Sequence, residues 1–273
     1  MMVSSVSILC MAVSALLSIG VPVALLIVFR KKFGAKLMPA LAGAAAFVVF
    51  ALVLERLIHL LVLRPTANGS TWMSGYQYVF YSLITTCVFE ETARFLSFKL
   101  LRKRYAGILT ALSYGVGHGG IKLILLGGAS TIASIVMSVA ANAGQFEGKY
   151  DLLTFMELQT TASTPSAMFL VTGVERMFTL AVHLALSVIV FYSVYRPRKV
   201  WLFPLAIVLH AVVDFAPALM QSGAISNILV AEGLVLLCAA LLVALAVYTH
   251  RRLKPVESAS IPAQGDGGTH EEV

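Results

Sequence analysis

The segment SVSILCMAVSALLSIGVPVALLIVF, residues 5–29, contains no charged residue, and a basic cluster follows it at Arg30, Lys31 and Lys32. A helix needs about 20 apolar residues to cross the hydrocarbon core of a bilayer, so this segment is long enough to span it. Because the basic cluster follows the apolar run, the pattern is typical of a retained first span with its N-terminus outside, not of a cleaved signal peptide.

The rest of the chain has the same apolar character. Of its 273 residues, 59% are hydrophobic and only 12% are charged. A soluble domain of this length would need more polar surface, so the composition indicates an integral membrane protein. The long apolar runs predict helices, because a membrane β-barrel would show short segments of alternating polarity instead. We therefore predict an all-α fold, a polytopic transmembrane helix bundle.

Seven runs are long enough to cross the membrane, and their ranges are 5–29, 37–63, 75–101, 105–126, 166–195, 200–221 and 225–250. The apolar segment 128–144 is short and rich in Ala, Ser and Gly, and it is open to three interpretations. It could form a re-entrant helix, an interfacial helix or a continuation of the fourth span. As a crossing of its own it would make eight spans. We expect one transmembrane domain over 1–254, with its motif-bearing core at about 75–221, and a disordered cytoplasmic tail over 255–273.

The distribution of charge predicts the orientation of the bundle. Basic residues cluster at 30–36, 102–104, 196–199 and 251–254. Seven spans place all four clusters on one side of the membrane, whereas an eighth would break the pattern, so we favour seven. By the positive-inside rule that side is cytoplasmic, and so is the C-terminus. We expect the net charge of +7 to meet anionic lipid head groups, not nucleic acid.

Ionisable residues lie within the predicted spans, although each costs a few kcal/mol on insertion. They are Glu55, Arg56, His59, Glu90, Glu91, Arg94, His118, Lys122, Glu175, Arg176, His183, His210 and Asp214. One residue from each of four spans lies 11 to 14 residues from a basic cluster: Glu91, His118, His183 and His210. Straight helices would place all four roughly 16–21 Å from the same membrane surface. We predict that these groups converge near the midplane, as a hydrolytic or metal site requires.

Several of these residues also have a purely structural interpretation. Glu91 and Arg94 are three residues apart and could form a buried ion pair that only fixes helix packing. His210 and Asp214 are four apart and could simply hydrogen-bond along one helix. We interpret Glu175 with Arg176 as mainly structural. The three cysteines share no metal-ligand spacing and are predicted to be small core residues: Cys10, Cys87 and Cys238.

His118 lies in the sequence YGVGHGG, which favours a functional role. Gly117, Gly119 and Gly120 remove bulk around the imidazole, so another backbone or a substrate can approach. Lys122, one helical turn further on, is expected to snorkel or to pair with an acid that the sequence does not identify.

Carboxylates and imidazoles at one depth suit peptide hydrolysis in two ways. A desolvated carboxylate can act as general base on a water that an imidazole holds, while a second imidazole, oriented by an acid, stabilises the oxyanion. Alternatively, two or three histidines and a glutamate bind zinc, and the metal generates the hydroxide. The HExxH pattern of soluble zinc proteases is absent from the sequence, and both mechanisms stay open.

Three motifs resemble those of the CAAX-processing and bacteriocin-processing (CPBP, or ABI) intramembrane proteases. They are EETAR at 90–94, YGVGH at 114–118 and HAVVD at 210–214. The string GHGGI at 117–121, and an ER pair eight residues before His183, resemble the YhfC branch of membrane peptidases. The resemblance runs from about the third to the sixth span, and the order and spacing of the motifs carry most of its specificity.

This resemblance implies an intramembrane endopeptidase of the glutamic or metallo type. Glu90 would be the general base, and Glu91 with Arg94 would hold the third span in place. His118 would position the attacking water. Zinc or another divalent metal is the expected cofactor, if there is one, with ligands drawn from Glu90, His118, His183 and His210.

The remaining motif residues would complete the site. On this reading His210 and Asp214 form the oxyanion side, and His183 is an accessory ligand or hydrogen-bond donor. Arg176 and Glu175 are accessory. The resemblance implies a bacterial cytoplasmic membrane and a membrane-protein or lipidated peptide substrate, and the sequence predicts no oligomeric state.

Two departures from the family pattern leave an inactive relative open, and two rival hypotheses remain beside the protease. The gap between Glu91 and Arg94 is one residue shorter than in the CAAX proteases, and Lys122 stands where the YhfC branch carries an acidic residue. One rival is a catalytically inactive immunity or scaffold protein. The other is an ion- or proton-coupled transporter, since midplane His, Glu and Asp also form proton relays.

Overall fold

The computed structural model describes residues 2–64, 71–145, 151–221, 223, 225 and 227–253, and over these ranges it contains helices and no strands. The helices are α1 (Ser5–Phe33), α2 (Leu37–Leu63), α3 (Gly75–Leu101), α4 (Ile108–Asn142), α5 (Leu152–Ser163), α6 (Ser166–Tyr195), α7 (Leu202–Gln221) and α8 (Ile228–Leu253). Both α2 and α4 include a π-helical stretch, at Val48–Leu54 and Leu123–Ala129. The predicted tail at 255–273 lies outside the described residues.

Six of these helices are long and apolar enough to cross a membrane: α1, α2, α4, α6, α7 and α8. The prediction of seven spans exceeds this number by one, because it included α3. This helix has 27 residues but carries Glu90, Glu91 and Arg94 in its second half. The charged residues of the predicted site therefore make α3 too polar, by composition alone, to be counted among the membrane-spanning helices. An eighth span at 128–144 is wrong, because this segment continues α4 without a break to Asn142.

Helix α6 occupies the centre of the bundle. In its most apolar stretch 67% of the residues are buried, against 22–28% in the other five apolar helices. It packs against α1, α3, α4, α7 and α8. A helix that is apolar on all sides has to be surrounded in this way or face lipid, and α6 is positioned to present side chains to several neighbours at once.

Aromatic side chains fill the bundle between its centre and the basic ends of the helices. Phe98 packs on Tyr114 with ring centroids 4.7 Å apart, and Phe191 stacks on Tyr195 at 4.0 Å. The Tyr195 hydroxyl donates a hydrogen bond of 2.7 Å to the carbonyl oxygen of Tyr105, the residue that follows the 102–104 basic cluster. This packing ties α6 to the segment between α3 and α4 on the basic side of the bundle.

Glycines allow the backbones of α2 and α4 to touch. A Cβ atom at Gly117 would lie 1.9 Å from the carbonyl oxygen of Ala40, and one at Gly43 would lie 2.3 Å from that of Tyr114. Gly119 leaves room for His183 and Gly120 for Pro22. The expectation that these glycines admit another backbone is confirmed at Gly117, and the space at the other two is filled by neighbouring side chains.

The contact at Gly117 predicts a strong effect of a single methyl group. We expect Gly117→Ala to destabilise the protein by about 1–3 kcal/mol, because rigid backbone lies on both sides of the clash and cannot yield as a side chain would. The measurement is unfolding of the purified protein in mixed detergent micelles. Gly233→Ala is the control, since no atom lies within 4 Å of the added methyl group. Equal stability of the two variants would show that the helices do not cross as closely as described.

Candidate active site

Glu90, at the centre of the bundle, connects α3 to α4. Its Oε2 lies 3.2 Å from His118 Nε2, and its Oε1 accepts a hydrogen bond of 2.9 Å from Lys122 Nζ. His183 Nδ1, on α6, lies 3.8 Å from the same Oε2. Glu90, His118 and His183 are all buried. Lys122 therefore does have an acidic partner, and this partner is Glu90.

Glu91 and Arg94 form the buried ion pair that their spacing allows, and the pair ties together more than one helix. Arg94 Nη1 donates to Glu91 Oε1 within α3. The same guanidinium donates from Nη2 to His183 Nδ1 at 3.1 Å and from Nε to Ser187 Oγ at 3.1 Å, both on α6. Glu91 Oε1 in turn lies 2.8 Å from His210 Nδ1 on α7. The pair thus holds α3, α6 and α7 in register.

His210 lies between two carboxylates. Its Nδ1 faces Glu91, and its Nε2 lies 3.4 Å from Asp214 Oδ2, one turn further along α7. The rings of His118, His183 and His210 form a row, with centroid distances of 5.5 Å between each neighbouring pair. The structure therefore brings the polar residues of four helices to one place.

A cavity of about 420 Å³ leads from this place toward the side of the bundle opposite the basic clusters. Besides the site residues Lys122, His183 and Asp214, its lining on α3, α6 and α7 lies beyond the site, in the direction away from the basic end of each helix. The lining includes Ser82, Thr86, Lys122, Thr179, His183, Asp214 and Pro217. The cavity adjoins the polar centre through Lys122 and His183, which both line it and lie next to Glu90.

The accessory residues Glu175 and Arg176 line the cavity, and within the described part of the chain no hydrogen bond or ion pair joins them to Glu90 or the histidines. Arg176 takes part in no ion pair among the described residues, and its buried Nε has no hydrogen-bond partner there. Gly127 faces this Nε, because a Cβ at that position would lie 3.4 Å from it. Glu175 and Arg176 thus belong to the wall of the cavity, about two helical turns before His183 on α6.

The predicted metal ligands separate into two groups. The donor atoms of Glu90, His118 and His183 lie within 4.8 Å of one another, and His210 belongs to a second group of the same compactness with Asp214 and Cys87. Cys87 was predicted to be a small core residue, and it is buried and forms no disulfide. The sequence did offer one indication that Cys87 lies near the site, because it precedes Glu90 and Glu91 on α3 by one helical turn.

The comparisons with known proteins agree with a membrane protease family. A model of the family described as "YhfC intramembrane metalloprotease" matches residues 14–235. The chain is 34% identical over 248 residues to "Uncharacterized membrane protein YhfC" of Bacillus subtilis (strain 168), an alignment covering 88% of this chain and 95% of that protein. No solved structure matches the chain. This membrane protein therefore belongs to the YhfC family, whose description is that of an intramembrane metalloprotease.

Proposed function

We propose that this chain is an intramembrane endopeptidase that hydrolyses a peptide bond with water activated at Glu90. The observation that carries the proposal is the position of the Glu90 carboxylate, buried beside two imidazoles where a cavity reaches the centre of the bundle. A carboxylate at such a place can act as a general base, because Lys122 and His183 lie between it and the cavity that they line. The description of the YhfC family supports a protease.

The hydrogen bonds suggest how the proton moves. Glu90 Oε2 takes a proton from water that His118 Nε2 helps to hold, and later returns it to the leaving amine. Lys122 Nζ, at 2.9 Å from Oε1, stabilises the ionised carboxylate before the reaction. On this proposal Lys122 supports the base, so the departure from the family pattern at this position is compatible with activity.

His183 is the hydrogen-bond donor on the oxyanion side of the proposed site, and the pair His210–Asp214 lies beside it. Arg94 can only donate, so His183 Nδ1 accepts its hydrogen bond, and the neutral ring carries its proton on Nε2. This N–H can stabilise the tetrahedral oxyanion, since His183 also lines the cavity. Glu91 Oε1 orients the His210 ring through its Nδ1, on the side of the ring opposite Asp214.

The family description implies a metal, and one group of residues here fits it. Glu90, His118 and His183 provide a carboxylate and two imidazoles, the donor set of a catalytic zinc site, and their donor atoms lie within 4.8 Å of one another. His118 Nδ1 is buried without a partner among the described residues. A divalent metal bound there would acidify the attacking water, and His183 would serve as a ligand through Nδ1 in place of accepting the hydrogen bond from Arg94.

Three further features belong to this proposal. The α3 helix crosses the membrane as the seventh span, because its charges face the bundle and pair there. The substrate is a membrane protein or a lipidated peptide that enters through the cavity, from the side opposite the basic clusters. The order of the EETAR, YGVGH and HAVVD motifs supports a relationship to the CPBP/ABI proteases.

A comparison of membrane-protein fragments tests the proposal. Bacterial cells carrying the intact chain should contain peptide fragments that are absent from cells carrying Glu90→Ala at the same membrane level. Identical fragments in both would contradict an enzyme. If ion-coupled uptake differed between those cells while the fragments did not, the transporter hypothesis would replace it.

A further inference from the structure

Cys87, His210 and Asp214 form a second polar cluster beside Glu90 that the proposed hydrolysis does not use as a unit. Their donor atoms lie within 4.8 Å of one another. Cys87 and His210 are buried, whereas the Asp214 side chain is 35% exposed and lines the cavity. The cluster is thus closed on two sides and open toward water on the third.

The hydrogen bonds of His210 leave its Nε2, a hydrogen-bond acceptor, facing the Asp214 carboxylate, which is also an acceptor. Glu91 Oε1 also pairs with Arg94, so it is an ionised acceptor, and His210 Nδ1 donates to it at 2.8 Å. The neutral ring then carries a lone pair on Nε2, which lies 3.4 Å from Asp214 Oδ2. Two acceptors held this close inside a bundle require a proton or a metal cation between them.

The net charge of the polar centre also favours a bound cation. Three carboxylates, Glu90, Glu91 and Asp214, lie with two permanent cations, Lys122 and Arg94. Neutral histidines leave this group with one excess negative charge. In surroundings of low dielectric constant such an excess favours the binding of a cation.

The donor set determines which cation fits. Thiolate, imidazole and carboxylate together are ligands typical of zinc and similar transition metals, whereas magnesium and calcium prefer oxygen alone. The Glu91–His210 hydrogen bond is the carboxylate–histidine contact that orients such a ligand. We propose that Cys87, His210 and Asp214 bind one divalent transition metal, with its remaining coordination position facing the cavity.

Binding would displace the thiol proton of Cys87 to water, because the thiolate is the ligand. A metal here is a site distinct from the Glu90, His118 and His183 group. It does not depend on the proposed hydrolysis, because a protein that cleaves nothing would still bind the ion. Cys10 and Cys238 lie outside both groups of possible metal ligands.

The test uses Co²⁺ as the probe, because a cobalt–thiolate bond produces a charge-transfer absorption band in the near ultraviolet. The full chain is purified in detergent, freed of metal with a chelator and titrated with Co²⁺. We expect the band to rise to one equivalent and to disappear when Zn²⁺ is added. Cys87→Ser should abolish the band, while the matched variants Cys10→Ser and Cys238→Ser should retain it.

A second variant keeps the test valid if Cys87→Ser fails to fold. Asp214→Asn retains the thiol, and we expect it to bind Co²⁺ about tenfold more weakly or worse, with the band still present at saturation. Cobalt bound without a thiolate band, or a band that survives in folded Cys87→Ser, would overturn the proposal. So would a wild-type protein that binds no Co²⁺, because a proton would then bridge His210 and Asp214.

Discussion

Glu90→Gln is expected to cleave at least about 100-fold more slowly than the wild-type protein, because glutamine keeps the shape of the side chain but cannot take a proton from water. The substrate for this measurement is a peptide taken from the fragments found in cells. The rate is measured with purified protein in lipid vesicles. Glutamine can still accept a hydrogen bond from Lys122, whose side chain lines the cavity and can be solvated there, so the effect is expected on the rate more than on folding.

Glu55→Gln is the matched control for this variant. Glu55 is another buried carboxylate in a membrane helix, where it accepts a hydrogen bond of 2.6 Å from Thr86 and lies 3.3 Å from His59. We expect it to retain most of the activity, since it does not contact Glu90 or the row of histidines. If both variants lost activity equally, the loss would report damage to the bundle and not removal of the base.

Arg94→Met is expected to lower the free energy of unfolding by about 3–5 kcal/mol, the usual cost of breaking a buried ion pair from one side. Methionine fills much of the volume, but it leaves Glu91 buried without its cation. It also removes the hydrogen bonds to His183 and Ser187, so the contact between α3 and α6 is weakened. The measurement is equilibrium unfolding in mixed detergent micelles, followed by circular dichroism.

A double variant distinguishes the ion pair from the rest of the packing. Arg94→Met combined with Glu91→Gln should be more stable than Arg94→Met alone, because no uncompensated carboxylate remains. If Arg94→Met unfolded at the same denaturant concentration as the wild-type protein, the pair would not be the link between these helices. If the double variant were no more stable than the single one, the stabilisation would come from the α6 contacts instead.

The depth of polar residues along the helices was the strongest prediction that the sequence allowed. The site residues were assigned to one level because each lies a similar number of residues from a basic cluster, and the structure brings them within hydrogen-bond range. This works because helix rise is constant and the membrane aligns helices with its own normal. The catalytic roles of these residues, Glu90 included, stay predictions.

Other features could not be read from the sequence, for physical reasons. Lys122 pairs with Glu90 across two helices, and sequence spacing reveals only pairs within one helix. Cys87 was predicted to be a core residue because the three cysteines share no metal-ligand spacing, and the residues grouped with it, His210 and Asp214, come from α7. The segment 128–144 continues α4 because π-helical turns carry the helix past Gly127 and Gly128, which sequence patterns do not show.

By itself, the amino-acid sequence determined that this protein is a helical membrane protein, where its long helices lie, and which polar residues share a depth, because these properties follow from apolar length and helical rise. Only the tertiary structure decided which residues face each other: Glu90 with His118 and Lys122, Glu91 with His210, and Cys87 with Asp214. The rotation of each helix about its axis is set by packing, here by glycine contacts such as Gly117 on Ala40. Rotation, unlike depth, leaves no simple periodic signal in a chain that is apolar on nearly every face.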